Sequence, residues 1–194
     1  MSRLTPRNVD VARQIIARYP IGRSALIPLL HLAQAQDGHL TSEAMEHAGE
    51  LVGLTAAEVL STASFYEMFK REPVGRYLVG VCTNVVCLLR GAGDLLDHAQ
   101  ERLGTRPGGT TDDAVFTLEE AQCLAACGGA PCVQVNYRYF EHVSPADLDV
   151  LFDDLRARRY EDDIPPHGVL NHATLSAPVT DPTPVESLAL RERH

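Results

Sequence analysis

Four of the five cysteines in this chain of 194 residues fall into two close pairs, and this feature constrains the fold more than any other. Four residues separate Cys82 from Cys87, and three separate Cys123 from Cys127. Such pairs, placed where a regular element gives way to a loop, are typical of metal ligands. The fold must therefore bring two distant loops to one place.

The spacing alone leaves the kind of metal open. A [2Fe–2S] cluster needs four thiolates in two pairs, one pair for each iron, and a structural zinc site accepts similar spacings. A disulfide framework is not expected, because the number of cysteines is odd and the first residues do not resemble a secretory signal. The fifth cysteine, Cys132, follows Pro131 and is expected to be a small core side chain.

The sequence lacks the residues that several other functions require. A net charge of −9 argues against nucleic acid as a partner. Gly91 and Gly93 do not form a dinucleotide-binding motif, and no C-x-x-C is present for thiol–disulfide exchange. The eight histidines show no metal-like pairing, and no apolar stretch is long enough to cross a membrane. We therefore expect a cytosolic electron carrier with no catalytic residues and no substrate site of its own.

The first 73 residues predict a small bundle of helices. Ser24 is expected to cap a helix with Pro28 in its first turn and Gly38 after its end. Thr41 is expected to cap a short helix that ends near Leu51, and Thr55 with Glu58 forms a capping box for the next one. Further expected apolar positions and helix limits are Val11, Ala12, Ile15, Ile16, Tyr19, Pro20, Leu60, Ala63, Phe65 and Phe69.

Residues 74–160 predict a compact α/β sandwich in the order β-α-β-β-β-α. Strands are expected over 76–82 and 114–120, with a hairpin that turns near Tyr137 and Arg138. One long amphipathic helix is expected from Leu88 to Leu103, and a last helix is expected to begin with Ser144 as N-cap. Residues 161–194 contain five prolines and almost no periodicity, which predicts an extended or disordered tail.

Several motifs, in order along residues 12–158, resemble those of one known family, the 24 kDa subunit of respiratory complex I (NADH–quinone oxidoreductase), which is called the E subunit in bacteria. The residues that carry the resemblance are Tyr19-Pro20, SALIPLLHLAQAQDGHL (24–40), SFYEMF (64–69), VCTNVVCLLRGA (81–92) and EAQCLAACGGAPCVQVN (120–136).

The resemblance implies an α+β protein, with an N-terminal helical bundle followed by a thioredoxin-like [2Fe–2S] ferredoxin domain. It implies that Cys82, Cys87, Cys123 and Cys127 are the cluster ligands, and that each pair serves one iron. It also implies a partner subunit that carries FMN and the NADH site, other peripheral-arm subunits, and a place on the cytoplasmic face of the inner membrane without insertion into it.

The chain departs from the family at one position, where Cys132 follows Ala-Pro instead of the usual methionine. Related subunits also occur in NAD-reducing hydrogenases and formate dehydrogenases, and the cysteine motifs do not separate these from complex I. A zinc-stapled adaptor is the alternative from a different functional class.

Overall fold

A computed structural model of the chain describes residues 3–164 and residue 167. Four helices come first: α1 (Pro6–Ile16), α2 (Leu26–Asp37), α3 (Ser42–Val52) and α4 (Ala56–Phe65). The remaining elements are β1 (Tyr77–Cys82), α5 (Val85–Leu89), α6 (Ala92–Leu103), β2 (Phe116–Ala121), β3 (Val133–Val135), β4 (Arg138–Phe140) and α7 (Pro145–Arg156).

The four N-terminal helices pack around a core of leucines and alanines. Leu29, Leu30 and Ala33 of α2 are fully buried, and they lie in one cluster with Ala48 of α3 and Val59 of α4. Alanines at these positions let the helix axes approach closely, and the leucines fill the space between them. Segment 66–70 then leads from α4 toward the sheet.

Two caps in this region confirm what the sequence predicts. The Thr41 hydroxyl accepts a hydrogen bond from the Ala44 N–H and starts α3. The Thr55 and Glu58 side chains cap each other's backbone N–H groups at the start of α4. Gly38 ends α2 with φ of 77°, a left-handed conformation that glycine adopts without strain.

Other expectations for this region are wrong. Ser24 does not cap α2, because residues Gly22–Ala25 form a 3₁₀ turn and α2 begins only at Leu26. Helix α4 ends at Phe65 and not near Phe69, because Tyr66 takes an extended conformation. Phe65 is 78% exposed, and Leu60, within α4, is exposed as well. Tyr19 lies beyond the end of α1 and is also exposed.

The four strands form one sheet in the order β2-β1-β3-β4. β1 and β2 run parallel, with Tyr77 opposite Phe116 and Cys82 opposite Ala121. β3 runs antiparallel to both β1 and β4, and β3 and β4 form the expected hairpin, which turns at Asn136 and Tyr137. The parallel pair brings the ends of β1 and β2, and the loops that follow them, to the same edge of the sheet.

The expected long helix between β1 and β2 is two helices. Gly91 has φ of 91° and separates α5 from α6. The expected place of Leu88 on the buried stripe is wrong, since this residue is exposed, whereas the later stripe residues Leu95, Ala99 and Leu103 are buried. Within α5 only Cys87 is buried, so this short helix does not continue the apolar stripe of α6.

One face of the sheet carries the core of this half of the molecule. Val79 and Leu118 point from the sheet toward α6 and α7, where they pack against Leu95 and Leu148. Ser144 caps α7 as predicted, in a reciprocal arrangement with Asp147.

The start of the predicted tail packs on this domain, since Ile164 is buried in the core and the His167 N–H donates to the Arg76 carbonyl oxygen; most of the rest lies outside the described residues. Within the described residues, no helix is long and apolar enough to cross a membrane.

Candidate metal centre

The first cysteine pair sits where β1 gives way to α5. Cys82 is the last residue of β1, and Cys87 lies within α5, and both are buried. Asn84 caps α5, and its Oδ1 accepts a hydrogen bond from the Val85 N–H at 2.7 Å. After this turn the side chain of Cys87 lies in the same buried cluster as that of Cys82. The pair is therefore assembled by local structure alone.

Backbone N–H groups converge on the sulfurs of this pair. Burial raises the pKa of Cys82, but hydrogen bonds from the N–H groups of Leu124 and Asn84, and from Cys87, more than offset it, so that the pKa is lowered. Burial also raises the pKa of Cys87, and the N–H of Cys132 opposes this only in part. N–H groups directed at sulfur stabilise negative charge there, as the ligands of an iron–sulfur cluster require.

The second pair lies in the loop after β2, and both of its cysteines are exposed. No α-helix lies between Cys123 and Cys127. Ala125 has φ of 56°, and its N–H points back to the Cys123 sulfur at 3.4 Å. Cys127 begins a 3₁₀ turn, Cys127–Gly129, that leads the chain back toward β3.

The two loops meet at one edge of the sheet, as the sequence analysis expected. The Thr83 N–H donates to the Ala121 carbonyl oxygen at 3.0 Å, and this bond continues the pairing of β1 and β2 into the loops. The Leu124 N–H reaches the sulfur of Cys82 from the second loop. Cys127 lies close enough to Cys87 for its charge to raise the pKa of that thiol.

The four sulfurs do not form a closed metal site in this conformation. Among residues 3–164 and 167, no group of three or more His, Cys, Asp or Glu side chains is arranged to hold a metal ion. The buried pair nevertheless fits one iron of a [2Fe–2S] cluster, because both thiols are adjacent and N–H groups point at them. Of the exposed pair, Cys127 lies close enough to Cys87 for its charge to affect that thiol.

Cys132 lies behind the first pair and is fully buried, as expected for a core side chain. Burial raises the pKa of its thiol to about 11, so the sulfur stays protonated at neutral pH. The thiol faces the Val133 carbonyl oxygen at 3.9 Å, and the backbone carbonyl of Cys132 accepts a bond from the Cys82 N–H at 3.1 Å. Cys132 thus supports the pair through its backbone.

Sequence reasoning missed the backbone donors of the site. Leu124 has no polar side chain, and nothing in its identity marks it as a group that bonds to Cys82. A side chain at Gly129 would collide with the side chain of Glu141. The only signal that could have found Leu124 is its position between two cysteines of one pair.

Comparison with known proteins shows the family that the chain resembles in sequence and fold. The family model of the thioredoxin-like [2Fe-2S] ferredoxins matches residues 12–156. The chain is 47% identical over 146 residues to a protein of Mycobacterium tuberculosis, which is named as the E subunit of NADH-quinone oxidoreductase, with 75% of this chain covered. That match spans only 58% of the mycobacterial protein.

A second relative is matched over most of its length. A protein of Rhizobium meliloti, also named as an E subunit of NADH-quinone oxidoreductase, is 42% identical over 141 residues, which cover 73% of this chain and 84% of the relative. Among solved structures, an NAD+-reducing [NiFe]-hydrogenase in the air-oxidized state matches with a TM-score of 0.63 and 27% identity. That match covers 72% of this chain and 24% of the hydrogenase chain.

Proposed function

This chain belongs to the thioredoxin-like [2Fe-2S] ferredoxin family, and from that premise we propose that it is the E-type electron-transfer subunit of an NADH–quinone oxidoreductase. Family membership indicates a [2Fe–2S] cluster, and this favours the cluster over the zinc site that cysteine spacing left open. In this proposal Cys82, Cys87, Cys123 and Cys127 are the ligands, and Cys132 is not one.

One observation carries the proposal: the meeting of N–H groups from two loops at the Cys82–Cys87 pair. The Asn84 N–H comes from the same loop as the pair, and the Leu124 N–H comes from the loop that holds the other two cysteines. These donors stabilise negative charge at the buried sulfurs of this pair. This is what a cluster that gains and loses an electron needs from its protein.

The bound cluster supplies a centre that accepts and returns single electrons. The residues of this chain hold it and set the energy of its reduced form. The N–H groups of Asn84, Leu124 and Cys132 stabilise negative charge on the sulfurs of Cys82 and Cys87, and so favour the reduced form. The parallel pairing of β1 and β2 fixes the distance between the two loops.

The wider assignment follows from the same family. We propose that the subunit works beside a flavoprotein subunit that binds FMN and NADH, with the cluster close to the FMN, in the peripheral arm of a proton-translocating complex. It would lie on the cytoplasmic face of the membrane, without a substrate site of its own. Residues 1–73 would form a helical bundle and 74–160 the cluster domain, which the chain leaves only after residue 161, because Ile164 is buried in the core of that domain.

A second candidate has a specific observation in its favour. The solved structure that matches at a TM-score of 0.63 is an NAD+-reducing hydrogenase, so the same domain also occurs in that kind of enzyme. In that case the chain would serve the NAD-linked half of a hydrogenase, and a formate dehydrogenase is a further candidate parent. The site and the cluster would be the same, and only the partners would differ.

Purification of the native complex separates these candidates. The cells would carry an affinity tag on this chain, and the subunits that purify with it would be identified. The proposal expects a flavoprotein and quinone-reductase subunits, together with NADH-driven reduction of the [2Fe–2S] signal. A nickel-containing hydrogenase subunit in the purified complex would decide for the second candidate, and a chain that purifies alone without a cluster would contradict both.

A further inference from the structure

The side chain of Glu141 lies directly over Gly129, in the turn that follows Cys127. A Cβ at position 129 would collide with the Cβ, the Cγ and the carboxyl carbon of Glu141. Gly129 is not among the residues with positive φ, so the conformation of its backbone does not require glycine. The absence of a side chain at this position therefore makes room for the Glu141 side chain.

Backbone hydrogen bonds hold the two segments in this contact. Directly after Glu141, the His142 N–H donates to the Gly129 carbonyl oxygen at 2.7 Å. The Val143 N–H then donates to the Pro131 carbonyl oxygen at 3.1 Å. The segment that carries Glu141 thus runs beside the segment that leads away from the second cysteine pair, and the base of the glutamate side chain is fixed against the turn.

This contact places a carboxylate near both cysteine pairs. Gly129 lies two residues after Cys127, and two residues span at most about 7 Å, so the carboxyl group is within roughly 11 Å of the Cys127 backbone. On the other side, burial is the main cause of the raised pKa of Cys132, and the charge of Glu141 adds to it. Cys132 lies in the same buried cluster as the first pair. The charge of Glu141 is therefore close to the place where the two cysteine loops meet.

The charge of the Glu141 carboxylate is not neutralised within residues 3–164 and 167, where this side chain has neither an ion-pair partner nor a hydrogen-bond partner. Arg138, three residues earlier in the chain, pairs instead with Asp163 at 2.9 Å. By contrast, Glu119 in β2 is paired with Lys70. Glu141 therefore supplies a negative charge at the site that these cations do not compensate.

Reduction adds one negative charge to the cluster, and a fixed negative charge nearby raises the energy of the reduced form. We propose that the Glu141 carboxylate, held over Gly129, lowers the reduction potential of the [2Fe–2S] cluster. The inference rests on the proposed function, because it names a residue that regulates electron transfer at that cluster. Its effect opposes that of the N–H groups of Asn84, Leu124 and Cys132, which favour the reduced form.

Redox titration of the full chain with its cluster, followed by electron paramagnetic resonance, tests the proposal. Glu141→Gln removes the charge and keeps the shape of the side chain, so it is expected to shift the equilibrium toward the reduced cluster by at least about threefold. Solvent screens part of the effect, because Glu141 is exposed, and the shift should therefore shrink at high ionic strength.

Two further variants serve as controls. Glu141→Asp keeps the charge and should titrate closer to the natural chain than to Glu141→Gln. Glu101→Gln removes an exposed carboxylate near the end of α6 and should leave the equilibrium unchanged.

An equilibrium in Glu141→Gln that is unchanged or shifted toward the oxidised cluster would overturn the inference, and so would an equal shift in Glu101→Gln. If Glu141→Gln loses the cluster, Glu141→Ala provides the same test. Loss of the cluster in both would show that the residue holds the loop, and this too would overturn the inference. These outcomes differ from failure of the proposed function, because a natural chain that holds no [2Fe–2S] cluster refutes that function before any variant is compared.

Discussion

The Nζ of Lys70 lies 2.5 Å from Oε1 of Glu119 and joins the segment after α4 to strand β2. The pair is partly buried, with side-chain exposures of 16% and 32%. The backbone of Lys70 is fixed as well, because its N–H donates to the Gln34 side chain at 2.8 Å and its carbonyl accepts from the Leu40 N–H at 2.7 Å. Lys70 therefore links the helical region to the sheet at both its backbone and its side chain.

Replacing Lys70 by methionine, which keeps most of the stem, is expected to lower the free energy of unfolding by about 1–2 kcal/mol, because Glu119 is left half-buried without its charge partner. Urea unfolding measures the change. The exposed pair of Arg13 and Asp10 is the control: Arg13→Ala should cost less than about 0.5 kcal/mol, because solvent screens that pair. A cost for Lys70→Met no larger than that of the control would contradict this account of the link.

Gln34 is buried and is satisfied at both ends of its amide. Its Nε2 donates to the Met68 carbonyl at 3.0 Å, and its Oε1 accepts from the Lys70 N–H. Gln34→Leu is expected to cost about 2–3 kcal/mol, because two buried backbone groups lose their partners. Gln14→Leu, on the exposed side of α1, should change the unfolding free energy by less than about 0.5 kcal/mol. A tolerated Gln34→Leu would show that segment 66–70 is not held by this side chain.

The lowered pKa of His167 predicts how the free energy of unfolding depends on pH. Its ring is buried near Tyr137, and neither ring nitrogen has a hydrogen-bond partner among the described residues. Burial, with a smaller effect from Lys70, lowers its pKa from 6.5 to about 4. As the pH falls below 6.5, the unfolded chain binds a proton that the folded chain does not bind until about pH 4, so stability is lost across that window.

The amount of stability lost at low pH follows from the difference between the pKa of His167 in the folded and unfolded chain. It amounts to about 3 kcal/mol between pH 7 and pH 4, since each pKa unit corresponds to about 1.4 kcal/mol. Unfolding by urea at several pH values, compared between the natural chain and His167→Phe, isolates the contribution of this one residue from that of the carboxylates. The variant should lose markedly less stability than the natural chain over this range. Parallel pH profiles would show that His167 is not buried as a neutral ring.

Substitution of single cysteines tests which of them bind the cluster. Cys82→Ser and Cys127→Ser are each expected to abolish or badly weaken cluster binding, because each removes one ligand in the proposed set. Cys132→Ser should leave the cluster in place, since Cys132 acts through its backbone, and it serves as the control for loss of a buried thiol. Iron content and visible absorbance of the purified proteins measure the outcome. A normal cluster in Cys127→Ser would count against the ligand set.

Local signals explain why much of the fold could be predicted. Thr41, Thr55 with Glu58, and Ser144 with Asp147 each satisfy backbone N–H groups within three residues, so their effect depends on short-range sequence and not on the rest of the molecule. The hairpin between β3 and β4 is also local. Helix caps and a hairpin turn depend on a few neighbouring residues, so they can be predicted from the sequence.

The errors have a different origin. Helical periodicity continues across Gly91, so Leu88 fits the stripe of α6, but the left-handed conformation of Gly91 separates α5 from α6, and Leu88 is exposed. The predicted start of α2 is wrong because Ser24, a good capping residue, lies within a 3₁₀ turn. For the site, spacing paired the cysteines in sequence but could not show that one pair is buried and the other exposed, because burial depends on residues far away in the chain.

The central claim is that this chain holds one [2Fe–2S] cluster, and electron paramagnetic resonance of the anaerobically reconstituted, full-length protein tests it most directly. After one-electron reduction the account predicts a spin-one-half signal of about one spin per chain, from a reddish-brown protein with about two irons. A colourless protein that binds one zinc per chain and gives no signal on reduction would contradict it.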